Sequence, residues 1–252
     1  MTMEAPTRRP RVLLSAYACG PDQGSEPGVG WNRALQAARY CDTWVLCEDG
    51  RYGAAVRRYL ADHGPIPGLE FVYVPRTALQ CRVGRVPGLS YLAYNRWQRS
   101  ALRAARALHT QIGFDLAHQV TFCGYREPGY LWRLGVPFVW GPVGGTQNYP
   151  WRFLGVSGWK GVAREGARNV MNAVQMRLSL RVRRAVRHAA AVLAANTTVQ
   201  ADLARVYRIR PEVQLETGLR AVAAAPRPLP PEGTPLRILW SGEVQPWKAR
   251  CC

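Results

Sequence analysis

The stretch RVLLSAYACGPDQGSEPGVGW, Arg11 to Trp31, constrains the fold of this chain most. It opens with a short apolar run, Val12 to Ala18, too short for a helix and bounded by Gly20 and Pro21. Such a run reads as a buried parallel strand. A loop carrying Gly20, Gly24, Gly28 and Gly30 follows, then a helical pattern, Trp31, Leu35 and Ala38, at steps of four and three. The order is strand, glycine-rich loop, helix. Glycines let backbone N–H groups approach an anion, and a helix N-terminus adds partial positive charge. The ligand class this suits is a phosphate, above all a nucleotide diphosphate; a tight turn without a ligand is the plainer alternative. The loop is neither G-x-G-x-x-G nor a P-loop.

The same alternation runs on through the chain. Thr43–Cys47, Leu69–Val74, Asp115–Phe122, Pro137–Val143, Ala191–Ala195 and Val213–Thr217 read as further strands. Helices are expected over Tyr52–His63, Leu89–Ile112, Trp159–Ala190 and Thr197–Val206, with a short one at Tyr130–Leu134; Arg76–Val86 has no clear pattern. Strands alternating with helices predict an α/β fold, a Rossmann-like, doubly wound parallel sheet. Ligands of such sheets bind outside the carboxyl ends of the strands. The first loop, the end of the fourth strand and the Gly144-Gly145 turn all belong to that edge. His118 lies in the fourth strand; taken alone, a histidine there is a packed residue.

Charge bears on partners. Lys plus Arg is 34 against 16 acidic residues, a net +18, with lysine only at 160 and 248. The excess fits an acidic partner, be it a phospholipid surface, nucleic acid or phosphorylated substrate, or simply a genome that writes Arg for Lys. Arg96, Arg99, Arg103 and Arg106 step by three and four along one predicted helix, and Arg177, Arg181 and Arg184 along another. Each set is either a solvated face or a stripe for anionic lipid heads. The seven cysteines are odd in number and have no C-x-x-C spacing, so they read as free thiols in a reducing compartment. The apolar run after Arg8, Arg9 and Arg11 passes straight into the glycine loop, which argues against a signal peptide. No run approaches the ~18 apolar residues of a spanning helix. A cytoplasmic protein, peripheral at the inner face of the plasma membrane, is expected.

Four motifs together carry a family resemblance: SAYACGPDQGSEPGVGW (Ser15 to Trp31), HQVTF (118 to 122), FVWGPVGG (138 to 145) and ILWSGEVQPWKA (238 to 249). In this order they resemble the GT-B retaining glycosyltransferases of family 4, the group 1 glycosyl transferases, over almost the whole chain. The resemblance implies two Rossmann-like domains facing a cleft, the first for the acceptor and the second for a nucleotide-sugar. Residues 1–219 would form the first, 220–235 a Pro- and Ala-rich linker, and 236–252 the first strand and loop of the second. It implies donor-diphosphate contacts from Ser25, Glu26, Gly28 and Gly30 and from Lys248. It places His118 at the reacting sugar as the catalytic residue, and Gly144, Gly145 and Thr121 on the acceptor side of the cleft. Glu243 stands where an arginine is common in the family. The family's paired carboxylates would follow Lys248. The chain ends at Cys252 without them, so a truncated form with little transfer activity alone is expected.

The implied chemistry moves a hexose from a nucleotide diphosphate sugar to a glycan or lipid-linked acceptor, with retention. No cofactor and no metal is expected, and no Asp-x-Asp occurs. The rival reading is a non-catalytic basic module that binds anionic lipid or nucleic acid. A nicotinamide-dependent oxidoreductase is disfavoured, because strand two ends at Cys47-Glu48 without a preceding G-x-G-x-x-G.

Overall fold

The chain begins its sheet with β1 (Arg11–Ala16), whose side chains after Arg11 are all buried. A strand buried on both faces needs apolar residues at successive positions, and Val12, Leu13 and Leu14 supply them. This computed structural model describes residues 8–84, 86 and 89–216. After β1 come α1 (Ser25–Ala38), β2 (Asp42–Glu48), α2 (Arg51–His63), β3 (Leu69–Val74), α3 (Ala78–Gly84), α4 (Ser90–Ile112) and β4 (Leu116–Thr121). A short 3₁₀ turn, Leu131–Arg133, leads to β5 (Phe138–Val143). A second, Trp151–Ser157, precedes α5 (Gly158–Leu178), α6 (Leu180–His188), β6 (Ala189–Ala194), α7 (Thr197–Tyr207) and β7 (Glu212–Val213).

The seven strands form one sheet in the order β3-β2-β1-β4-β5-β6-β7, every neighbouring pair parallel. This is the α/β, doubly wound architecture that the sequence predicts. The chain winds outward from β1 to β3, then returns to place β4 on the other side of β1. The reversal makes the β1/β4 border the topological switch point, where open α/β sheets bind ligands. Two apolar clusters cover the sheet. One gathers Leu14, Ala16, Val45 and Val120 with Val29, Trp31 and Ala34 of α1. The other gathers Leu13, Leu46, Ala117, Phe138 and Trp140 with Trp97, Ala101 and Ala105 of α4.

The chain divides into two compact units. Among the described residues the sheet unit holds 8–147 and 173–216, and the second holds 148–172. Within the second, Asn169 clamps Tyr149 twice: Oδ1 accepts from the Tyr149 N–H and Nδ2 donates to its carbonyl, both at 2.8 Å. The single domain expected over 1–219 is thus interrupted at 148–172. The expected linker (220–235), the strand at 236–241, Glu243 and Lys248 all lie outside the described residues.

Three local expectations are corrected. First, α1 starts at Ser25 rather than Trp31, so Gly28 and Gly30 lie inside a helix and not in a loop. The Ser25-Glu26-Pro27 opening suits a first turn, since proline there loses no helical hydrogen bond and an acidic side chain meets the positive helix end. The glycines serve packing: a Cβ on Gly28 would run into the Gln23 carbonyl, and one on Gly30 into the Ala18 carbonyl. Second, Ala78–Gly84 is helical where no pattern was visible. Thr77 and Gln80 cap each other reciprocally: the Gln80 N–H donates to Thr77 Oγ1 at 3.2 Å, and the Thr77 N–H to Gln80 Oε1 at 2.8 Å. Third, the helix expected over 159–190 is two helices and the start of β6. Ser179 takes an extended backbone and its Oγ accepts from the Val182 N–H, which ends α5 and starts α6.

Candidate functional site

The candidate site lies at the carboxyl edge where β1, β4, β5 and β7 end. β1 leaves through the Tyr17–Gly24 loop, in which Asp22 is left-handed at φ 55°. Ser25 follows as the first residue of α1, also left-handed at φ 59°, and exposed. Gly24 is the N-cap, and no side chain caps the helix.

Glu26 stitches this loop across the switch point. Its carboxylate accepts from the Cys123 N–H, 97 positions along the chain, at 2.8 Å. Burial pushes the Glu26 carboxyl up, the Cys123 N–H pulls it down, and Glu216 pushes it up again. Thr121, at the end of β4, makes a second stitch: its Oγ1 accepts from the Ala18 N–H at 3.2 Å. The Thr121 hydroxyl is fully buried. It holds the loop after β1 against β4, and does not line an open acceptor cleft.

Tyr94 of α4 fixes the exit of β4 from below. Its hydroxyl donates to the Thr121 carbonyl and accepts from the Phe122 N–H, both at 2.8 Å. Gln98 adds a third bond to the same oxygen at 2.6 Å. Burial keeps the Tyr94 phenol well above its ordinary range, so it stays protonated and can donate. On the other side, the Gly144 N–H donates to the Cys123 carbonyl at 2.6 Å, and its carbonyl accepts from the Tyr125 N–H at 3.1 Å. Gly144 is buried, whereas Gly145 is exposed and left-handed at φ 77°.

His118 lies inside the fourth strand as a packed residue, in keeping with its sequence position, whereas the family resemblance implies a place at the reacting sugar. It is in the body of β4, paired with Leu14 and Val139, three residues before the strand ends. The ring is buried, and Nε2 lies 2.7 Å from the Gly141 carbonyl. A carbonyl only accepts, so Nε2 carries the proton and donates. Burial lowers the His118 pKa to about 4, against a raising effect from Gly141 and a further lowering from Arg33. The ring is therefore neutral near pH 7. Gly141 must be glycine: its φ is 132°, and a Cβ would run into the Leu193 carbonyl. His118 thus supports the bend of β5 that leads to Gly144.

Three residues at this edge escaped sequence reasoning. Glu216, after β7, has a half-buried carboxyl pushed up by burial. It sits so near Gly144 that a Cβ there would lie 2.7 Å from its Oε1. Arg33, two turns into α1, donates to the Leu215 carbonyl at 3.3 Å, and burial lowers its pKa. The Cys123 thiol is pushed far up, first by burial and then by Glu216 and Glu26. Glu26 and Glu216 are raised carboxyls at this edge, and Arg33 is a half-buried cation on the same helix as Glu26; groups of these kinds can bind hydroxyl-rich or phosphorylated ligands and move a proton. Only Arg33 carried any sequence signal, being polar on a helix that starts at the ligand edge.

A second polar point closes the other end of the switch region. Glu48, at the end of β2, is buried and meets Arg76 Nε at 2.9 Å and the Tyr52 N–H at 3.3 Å. This is where dinucleotide-binding folds keep a carboxylate for ribose; here its oxygens are already engaged. Among the described residues no group of three His, Cys, Asp or Glu side chains could hold a metal ion. No helix among them is long and apolar enough to cross a membrane. No family model matches the chain, and no curated protein matches it.

Proposed function

We propose that this chain is the acceptor-side half of a retaining GT-B glycosyltransferase resembling family 4. The reaction moves a hexose from a nucleotide diphosphate sugar to the hydroxyl of a glycan or lipid-linked acceptor. The observation that carries the reading is the stitched switch point: the uncapped start of α1, the β4 exit and the Gly144-Gly145 turn meet at one edge. These are three of the four segments that resemble the family; Glu26 and Cys123 meet across 97 positions, and Gly144 bonds to Cys123.

In this reading Ser25 and the first turn of α1 face the donor diphosphate, where helix N–H groups favour anions. Glu26, Gly28 and Gly30 hold that turn in place. Arg33 and Glu216 face the sugar end, with Arg33 offsetting charge on the departing phosphate. His118 is a positioning residue, acting through Gly141. Lys248 would supply phosphate contact from the second domain. A lipid-linked acceptor would keep the protein peripheral at the cytoplasmic face of a membrane.

Calorimetric titration of the 252-residue chain with UDP- and GDP-sugars tests the reading. Saturable binding is expected, weakened at least tenfold by Arg33→Gln. Absence of saturation, together with salt-sensitive binding of random duplex DNA, would favour the non-catalytic basic module instead.

A further inference from the structure

One face of α4 has a single continuous character. Leu89, Leu92, Arg96, Arg99, Arg103 and Arg106 recur at steps of three and four, so they line one side of the helix and its entry. The opposite side, with Ala93, Trp97, Ala101 and Ala105, is buried on the sheet. Leu89 and Leu92 remain 41% and 44% exposed, and Tyr91 beside them 55%. Helix α3 adds Leu79, 58% exposed, and packs against the same end: a Cβ on Gly84 would lie 3.5 Å from Ala93 Cβ. The result is an apolar tip that continues into four arginines.

Those arginines have no acidic counterpart. From Phe71 to Phe114 the chain has no Asp or Glu, against seven arginines. Among the described residues none of Arg96, Arg99, Arg103 and Arg106 forms an ion pair. Arg99 lies over the Tyr130 ring at 5.9 Å, and Arg103 reaches only Ser100 Oγ, at 3.1 Å. The second stripe is different: Arg181 is taken by buried Glu127 at 2.6 Å, and Arg177 stands on another helix.

We infer that the α3–α4 tip and the arginine stripe of α4 dock on an anionic lipid surface. The leucines and Tyr91 enter the headgroup region while the arginines meet lipid phosphates. Nucleic acid would satisfy the arginines but leave the leucines in water, whereas a bilayer surface uses both. The inference rests on the reading of a peripheral membrane protein and names the surface that serves it.

Sedimentation of the full chain with phosphatidylcholine vesicles, with and without phosphatidylglycerol, tests it. Binding is expected only with the anionic lipid, and it should fall at least tenfold between 0.05 and 0.5 M salt, because screening shortens with ionic strength (about 10 Å at 0.1 M). The variant with Arg96, Arg99, Arg103 and Arg106 all changed to Gln should lose at least a hundredfold in affinity, with an unchanged circular dichroism spectrum. Leu89→Ser with Leu92→Ser should lose about tenfold while keeping all charges. Equal binding to neutral vesicles would overturn the proposal, as would unchanged binding by the arginine variant. Leucine changes without effect, alongside equally tight binding of duplex DNA, would also overturn it. Nucleotide-sugar titration without vesicles reads the catalytic proposal separately, so the two can fail independently.

Discussion

His118 shows how much a single side chain's meaning depends on where its atoms end. Its Nε2 proton is spent on Gly141, and its pKa lies near 4 rather than 6.5. In the unfolded chain the imidazole takes a proton as pH falls below 6.5, while the folded chain resists until about 4. Stability from this residue is therefore full above 6.5 and is lost as pH falls toward 4, by on the order of 3 kcal/mol. Glu26, Glu127 and Glu216, with raised carboxyls, act in the opposite sense. Comparison with His118→Gln cancels them, since glutamine can still donate to Gly141 but does not titrate. Thermal melts at pH 7 and pH 4.5 should show a smaller fall for the variant. An equal fall in both chains would mean that the histidine is not held neutral.

At the scale of elements, capping decides two boundaries. Helix α3 is short and rests on the Thr77/Gln80 pair. Thr77→Ala should weaken it by about 1 kcal/mol, the usual worth of an N-cap. Amide hydrogen exchange at residues 78–84 should then speed up about fivefold, with α4 unaffected; equal protection in both chains would show that packing on α4 holds α3 by itself. The Thr-Ala-Leu-Gln signal was legible at 77–80 but is easily passed over in a window without apolar periodicity. Ser179 shows the same thing inside a pattern that looks unbroken. Apolar spacing runs through 159–190, yet Val174 and Leu178 are exposed and Met176 is buried instead. Periodicity gives a helix its face only where some other element is there to cover it.

For the whole molecule, the two sheet faces predict chemistry at the cysteines. Cys19, Cys47 and Cys123 are free and buried, and burial pushes their thiols up, Cys47 to about 12. The thiolate is the reactive form, so these three should resist iodoacetamide at pH 8 in the native chain. They should all be modified once urea opens the core, as peptide mass spectrometry would show. Rapid native labelling of Cys123 would mean that the β4 exit opens to solvent. Cys41 and Cys81, only partly buried, serve as internal reporters of ready access.

The sequence by itself determined the order of strands and helices, because each depends on a few neighbouring residues and their spacing. Short apolar runs between glycine-bounded turns leave little alternative to a parallel sheet, and the described strands fall within about two residues of their expected starts. Only the tertiary structure decided what the candidate residues touch. Gly28 and Gly30 look like a phosphate loop in sequence, but the carbonyls of Gln23 and Ala18 beneath them make them packing glycines. Glu26 meets Cys123, and Arg33 meets Leu215, 182 positions away. Partners at such separations are fixed by the winding of the sheet around its switch point, and no local pattern encodes which strand ends lie side by side.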